Sequence, residues 1–249
     1  MRVIPRIDVK NNFVIKGINF EGLRKVGNPI DFAKKYYKHG ADELIYIDCV
    51  ASLYGQNNLA ELTVKSTKDI FIPFCVGGGI RSVNDAQSLF NNGADKITIN
   101  TAAIENRKLI QLLSKKFGSQ SIVLSVEAKK ISKKNWKVYK NFGRDETDID
   151  VFEWIKEASI NGIGEILLTS IEAEGLGAGF DIDLYQECEK IVKTPIIACG
   201  GFGKLHHIKE IKDNTNIDAV AISQALHYEK ISINEIKDFC KKNNIFVRN

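Results

Sequence analysis

Ile122-Val123-Leu124-Ser125-Val126-Glu127-Ala128-Lys129 is the stretch on which the fold turns. It reads as a buried β-strand, with successive side chains on opposite faces and a carboxylate as its last inward residue. The chain opens with a stretch of the same kind, Val3 to Lys10, which ends at Asp8. A strand ending in an acid occurs twice, half a chain apart, and that suggests a symmetric site.

Working outward, short apolar runs predict strands over residues 3–9, 44–49, 72–76, 96–100, 122–129, 165–169, 195–199 and 219–223. Helical patterns lie between them. Asn28-Pro29 predicts an N-cap followed by proline at the first helical position, with the helix running to His39 before Gly40. Ser82 with Asp85 resembles a capping box for a helix that ends at Gly93. Further helices are expected over 59–69, 105–117, 151–161, 182–192, 224–228 and 233–243. The polar connection over 10–28 is longer than a turn needs and is a candidate lid. An insertion over 131–148 carries alternation at 135–139 that suggests a small hairpin.

Alternating strands and helices imply parallel pairing with each crossover helix covering the sheet. Eight such units close into a (β/α)8 TIM barrel, whose usual length of about 250 residues matches the 249 here, and whose active site belongs at the C-terminal ends of the strands. An open doubly wound sheet is the alternative, disfavoured because no GxGxxG opens the first helix. One barrel domain over residues 1–249 is expected. Its halves echo each other at offsets of about 120 residues, pairing Asp8 with Glu127, Gly78 with Gly200 or Gly201, and Asn100 with Ser223, as a duplicated (β/α)4 unit would.

Composition excludes several classes. A net charge of +4, spread along the chain, gives no nucleic-acid footprint, and a hydrophobic content of 44% supplies a sizeable core. Five cysteines (Cys49, Cys75, Cys188, Cys199, Cys240) without CxxC spacing support neither a disulfide framework nor a zinc site. No apolar run reaches the roughly 20 residues that span a bilayer, and no export signal is visible, so a reducing cytoplasm is expected.

Two glycine clusters carry the chemistry. Gly77-Gly78-Gly79 and Gly200-Gly201 follow the third and seventh strands, where bare backbone N–H groups approach an anion. Asn100-Thr101 and Ser223 follow the next strand in each half. Barrels commonly bind phosphate on the loops after strands seven and eight, and here that arrangement occurs twice, so a ligand with a phosphate at each end is expected. Asp8 and Glu127 lie between the two sites and are candidates to divide acid and base roles. Asp48 and Thr169 are expected to face the same space, Lys16 to close over the ligand, and Arg6 to share the face of Asp8 as a possible ion-pair partner. At the opposite end, strand parity points Arg2, Lys96 and Glu165 inward and leaves the direction of Glu43 open. These four residues suggest a ring of salt bridges, either a stabilising plug or a gate. His39, His206, His207 and His227 fall on helices or their ends, away from strand tips, so neither a metal site nor another cofactor is expected.

The motifs IDVK (7–10), VIKGINFEGLR (14–24), GADELIYID (40–48), FCVGGGIRS (74–82), GADKITINTAAIEN (93–106), FGSQSIV (117–123), GEILLTSIEAEG (164–175) and ACGGFGK (198–204) resemble the cyclase subunit of imidazole glycerol phosphate synthase (HisF-like) over nearly the full chain. The resemblance implies an ammonia-dependent cyclase and lyase acting on a doubly phosphorylated ribulosyl intermediate. Its partner would be a glutaminase subunit docked on the N-terminal face to form a heterodimer. It casts Asp8 and Glu127 as catalytic acids. Lys16, Asp48, Gly78, Gly79, Asn100, Thr101, Thr169, Gly200, Gly201 and Ser223 become substrate and phosphate positions, and Arg2, Glu43, Lys96 and Glu165 an ammonia gate. Departures from that family are Glu127 for aspartate, Glu172 and Glu174 for aspartates, Leu176-Gly177 for threonine and lysine, Arg6 for a small residue and Cys199 for serine. They motivate two other readings: a paralogue delivering ammonia to a different acceptor, for instance to amidinate a surface-glycan sugar, and a non-catalytic scaffold for a glutaminase.

Overall fold

The computed structural model describes residues 1–51 and 59–248. Its first half runs β1 (Arg2–Lys10), a hairpin of β2 (Phe13–Ile18) and β3 (Glu21–Gly27), then α1 (Pro29–Lys38), β4 (Leu44–Asp48), α2 (Leu59–Thr67), β5 (Phe74–Gly77), α3 (Val83–Asn91), β6 (Lys96–Ile99), α4 (Thr101–Glu105) and α5 (Lys108–Phe117). The second half repeats that order: β7 (Ile122–Ser132), a hairpin of β8 (Asn135–Lys140) and β9 (Asp145–Asp150), α6 (Val151–Ile160), β10 (Glu165–Ser170), α7 (Ile182–Ile191), β11 (Ile196–Cys199), α8 (His206–Asn214), β12 (Ala219–Ile222), α9 (Gln224–His227) and α10 (Ile233–Lys242). The duplication is thus visible element by element.

Eight parallel strands, β1, β4, β5, β6, β7, β10, β11 and β12, close the barrel. Two ladders join the halves: β6 with β7, from Ile97↔Ile122 to Ile99↔Leu124, and β1 with β12, from Arg2↔Ala219 to Pro5↔Ile222. Strand periodicity of two separates two apolar layers. Val3, Ile7, Leu44, Tyr46, Leu124 and Val126 face outward and pack with helix residues such as Tyr36, Leu62, Leu89, Leu113, Trp154 and Leu184. Ile4, Ile45, Cys75, Val123, Leu167, Ile197 and Ala219 fill the interior.

The expected caps are present. Asn28 accepts from the amides of Ile30 and Asp31, and Ser82 and Asp85 bond reciprocally. Three elements differ from the sequence reading. Residues 10–28 form the β2–β3 hairpin, because Asn11 and Asn12 adopt positive φ and turn the chain so that Val14 pairs with Val9. Residues after Asn100 form α4 before α5, where one helix over 105–117 was expected. Helix α8, between the seventh and eighth barrel strands, was not marked; its polar composition hides an inner face of His207, Ile208 and Ile211. Among the described residues no helix is long and apolar enough to cross a membrane.

Candidate functional site at the barrel mouth

The N-terminal end of the barrel is closed by a ring of four charges. Arg2 Nη1 lies 3.0 Å from Glu43, and Arg2 Nη2 pairs with Glu165. Lys96 Nζ lies 3.0 Å from Glu43 and 2.9 Å from Glu165. Glu43 therefore points inward, which sequence parity left open. Burial works against the charge on Arg2 and Lys96, yet the two glutamates raise both above their ordinary values. Burial pushes Glu43 up against the pull of Lys96.

At the C-terminal end, β1 places Arg6 and Asp8 on one inward face. Arg6 is fully buried; its Nε donates to Asp8 Oδ1 at 2.8 Å and its Nη1 to Thr169 Oγ1 at 3.1 Å and Cys199 Sγ at 3.5 Å. Burial opposes the guanidinium charge, but Asp8 holds it well above the usual range. Ser223 Oγ donates to the carbonyl of Arg6 at 2.9 Å. The four residues Arg6, Asp8, Thr169 and Ser223 are thus one cluster. Lys16 belongs to strand β2 rather than a loop, and its buried Nζ pairs with Glu174 and lies 4.0 Å from Asp8 Oδ2. Burial disfavours both charges of the Lys16–Glu174 pair. Their mutual attraction, aided by Asp8 on Lys16 and by Arg6 on Glu174, still raises Lys16 and lowers Glu174. Two cations and two anions balance under the mouth.

A roof covers this cluster. The tips of the β2–β3 and β8–β9 hairpins carry the same pair, Asn19-Phe20 and Asn141-Phe142, all four at positive φ. Phe20 and Phe142 meet with ring centroids 4.3 Å apart. The guanidinium of Arg6 lies 5.3 Å from the centroid of Phe20 and 5.8 Å from that of Phe142, within cation–π range.

Beside the roof lies a cavity of about 160 Å³ over β4 to β7. Asp48, Gly78, Gly79, Asn100, Thr101 and Glu127 of the expected residues line it, together with Thr98, Ser125 and Phe142, which the sequence reading passed over. Parity with Asn100 and Glu127 was the signal for Thr98 and Ser125. The repeated Asn-Phe pair, 122 residues apart, was the signal for Phe142. Asp48 caps the chain that follows it, accepting from the amides of Val50 at 2.9 Å and Ala51 at 3.0 Å, and burial raises its carboxyl despite those bonds. Asn100 donates to the carbonyl of Tyr139 at 3.3 Å, and Thr101 Oγ1 accepts from the amide of Asn141 at 3.0 Å. Glu127 Oε2 accepts from the amide of Gly143 at 2.8 Å. Burial pushes its carboxyl up to about 7, against the pull of Arg6 and that amide. A carboxyl half-protonated near neutrality suits proton transfer.

The two half-sites are not equal, contrary to the symmetric expectation. Asp8, Thr169, Gly200, Gly201 and Ser223 line no part of the 160 Å³ cavity. The loop after β10 folds over the second glycine cluster: Gly179 donates to the carbonyl of Gly201 at 2.8 Å, and a Cβ on Gly201 would sit 1.8 Å from the oxygen of Gly179. On that side an open groove of about 780 Å³ runs between the β2–β3 hairpin and α9, lined by Lys16, Arg24, Lys230 and Gln224. Glu21 is also on its wall and Lys16 is paired with Glu174, so Arg24 and Lys230 give the groove its net positive charge, which suits an anion.

Away from the mouth, His206, His207 and Glu210 bring three ligand atoms within 4.8 Å of one another. His207 Nδ1 accepts from the amides of Gly203 and Lys204, at 3.2 and 3.3 Å, which places the ring proton on Nε2 and leaves no free lone pair for a metal. The trio does not fit an ion in this tautomer.

Residues 2–232 match a family model described as histidine biosynthesis protein. A Legionella pneumophila protein named imidazole glycerol phosphate synthase subunit HisF is 51% identical over 205 residues, covering 82% of this chain and 97% of its own. Proteins of the same name from Bacillus cereus and Clostridium botulinum are 42% and 41% identical over 247 and 248 residues, each covering 99% of this chain and 98% of theirs.

Proposed function

Since the chain belongs to the histidine biosynthesis protein family, we propose that it is the ammonia-using cyclase subunit of imidazole glycerol phosphate synthase. Ammonia condenses with a doubly phosphorylated ribulosyl substrate at the barrel mouth, giving imidazole glycerol phosphate and an aminoimidazole carboxamide ribotide. The observation that carries this reading is the pairing of a closed charged ring at one end of the barrel with a buried, cavity-lining carboxyl, Glu127, at the other. Gly78, Gly79, Asn100 and Thr101 would take one phosphate, and the basic groove beside Ser223 the other.

The partner we propose is a glutaminase on the N-terminal face, with Arg2, Glu43, Lys96 and Glu165 as the gate through which its ammonia enters. Large apolar side chains support a docked subunit there. Phe71 and Ile160, 78% and 77% exposed, sit in segments that lead into β5 and β10, and Phe246, 86% exposed, lines a cavity of about 880 Å³ with Arg2, Glu43 and Lys96. Five free, buried thiols are consistent with a reducing cytoplasm. The names of the relatives give no support to the glycan-directed paralogue or the bare scaffold.

The test is turnover. Purified protein given ammonium and the ribulosyl substrate should release the imidazole product; none at high enzyme concentration contradicts the reading.

A further inference from the structure

We propose that Arg6 contacts the substrate in the ammonia step, its Nη2 holding the keto oxygen at the carbon that ammonia attacks. This assignment rests on the cyclase reading above and deepens it. A guanidinium carries N–H donors on each of its nitrogens. On Arg6, Nε is taken by Asp8, and Nη1 by Thr169 and Cys199. Nη2 is buried and has no hydrogen-bond partner among the described residues. A charged donor buried without an acceptor is costly, and a bound ligand is one of the few things that account for it.

The position of Arg6 selects the part of the substrate it would meet. Phosphates held around Gly78 and Thr101 on one side and in the groove by Lys230 on the other leave the middle of the substrate to cross the mouth beneath the hairpin tips. There the guanidinium lies 5.3 Å from the ring centroid of Phe20 and 5.8 Å from that of Phe142. The Phe142 side chain is also part of the cavity wall, and Arg6 is the cation that pulls on Glu127. Neither ring makes a hydrogen bond to Arg6, so both can lift with their hairpins while Asp8 and Thr169 keep the guanidinium in place. Arg6 further spans the top of the interior, from β1 to β10 and β11, so ammonia rising from the charged ring arrives beside it.

Charge decides the kind of oxygen. Arg6 and Lys16 are already balanced by Asp8 and Glu174, and Asp48 and Glu127 stand at the cavity beside them. A substrate carboxylate would bring an uncompensated negative charge, whereas a neutral carbonyl does not. When the carbon–nitrogen bond forms, the carbonyl π pair moves onto the oxygen. Nη2 stabilises that growing charge, and the proton shed by the nitrogen then neutralises the oxygen, leaving the hydroxyl of a carbinolamine.

The experiment is calorimetric binding to the full chain, without ammonium so that nothing turns over, of the ribulosyl substrate and of its analogue with a methylene in place of the keto carbonyl. Wild type should bind the keto compound about 10-fold or more tightly. In Arg6→Met the two affinities should become nearly equal, while in Asp8→Asn the preference should persist. Should Arg6→Met not fold, as judged by circular dichroism, the double variant Arg6→Met with Asp8→Asn removes both charges of the pair together and is read in the same way. A structural role alone would weaken both ligands by the same factor, so a preference retained without Arg6, or lost in Asp8→Asn, overturns the proposal. Equal binding by the wild type overturns it without any variant. A wild type that converts the substrate with ammonium yet binds both compounds equally removes this inference alone; one that neither binds nor converts it removes the cyclase reading as well.

Discussion

Arg6 Nε donates to Asp8 Oδ1 at 2.8 Å along one face of β1, and neither side chain reaches solvent. Removing one partner of a buried pair leaves an uncompensated charge, at a cost of about 3–5 kcal/mol. Arg6→Ala should therefore lower the stability measured by urea denaturation by that amount, and adding Asp8→Ala should restore part of it. Strictly additive losses would show that the two groups are not coupled.

Glu127 makes stability fall as pH rises. The folded chain holds its proton up to about pH 7, against an ordinary value of 4.5, so its contribution is full below pH 4.5 and is lost as pH climbs to about 7. At 1.36 kcal/mol per unit the loss is about 3 kcal/mol. Glu127→Gln removes the proton exchange, so the stability difference between wild type and variant should shift by about that amount across the window, in favour of the variant at high pH. A flat difference contradicts the burial argument.

His227 works in the opposite direction. Buried beneath α1, with Nδ1 2.7 Å from the hydroxyl of Tyr36, it is pushed down to about 3, first by burial and then by Lys16 and Lys35. The folded chain resists protonating it, so stability is lost as pH falls from 6.5 through about 3. His227→Phe should remove a destabilisation approaching about 4 kcal/mol by pH 3.5, read as a changed pH dependence of Tm.

Two glycines test the loop that covers the second cluster. Gly201 and Gly22 both have positive φ, at 102° and 61°. A Cβ on Gly201 would meet the Gly179 oxygen at 1.8 Å, whereas on Gly22 it would meet nothing within 4 Å. Gly22→Ala should cost about 1 kcal/mol, the backbone penalty alone. Gly201→Ala should cost about 3 kcal/mol or more, because strain and clash combine. Equal melting temperatures for the two variants would contradict the packing seen between Gly201 and Gly179.

The barrel was legible because its signal is local: strand runs such as Ile122–Lys129, caps at Asn28 and Ser82, and glycine stops are written in neighbouring residues. The inward parity of Arg2, Arg6, Lys96 and Glu165 followed from a period of two. What stayed hidden depends on contacts between distant segments. Nothing near Lys16 announces its pairing with Glu174, 158 residues away. The meeting of Phe20 with Phe142 requires both hairpins to be in place, and Lys10 to Asn28 reads as a polar connection because β3, unlike β2, has no fully buried residue. The inequality of the two glycine clusters, with Gly201 under Gly179 and Gly78 on the cavity wall, likewise depends on how the loop after β10 lies.

If this barrel transfers ammonia nitrogen into an imidazole ring, nitrogen-15 NMR follows the transferred atom itself. With labelled ammonium and the ribulosyl substrate, the purified chain should place the label in the ring of imidazole glycerol phosphate, and Glu127→Gln should do so about 100-fold more slowly or worse. Substrate left intact, or product without label, would contradict the account.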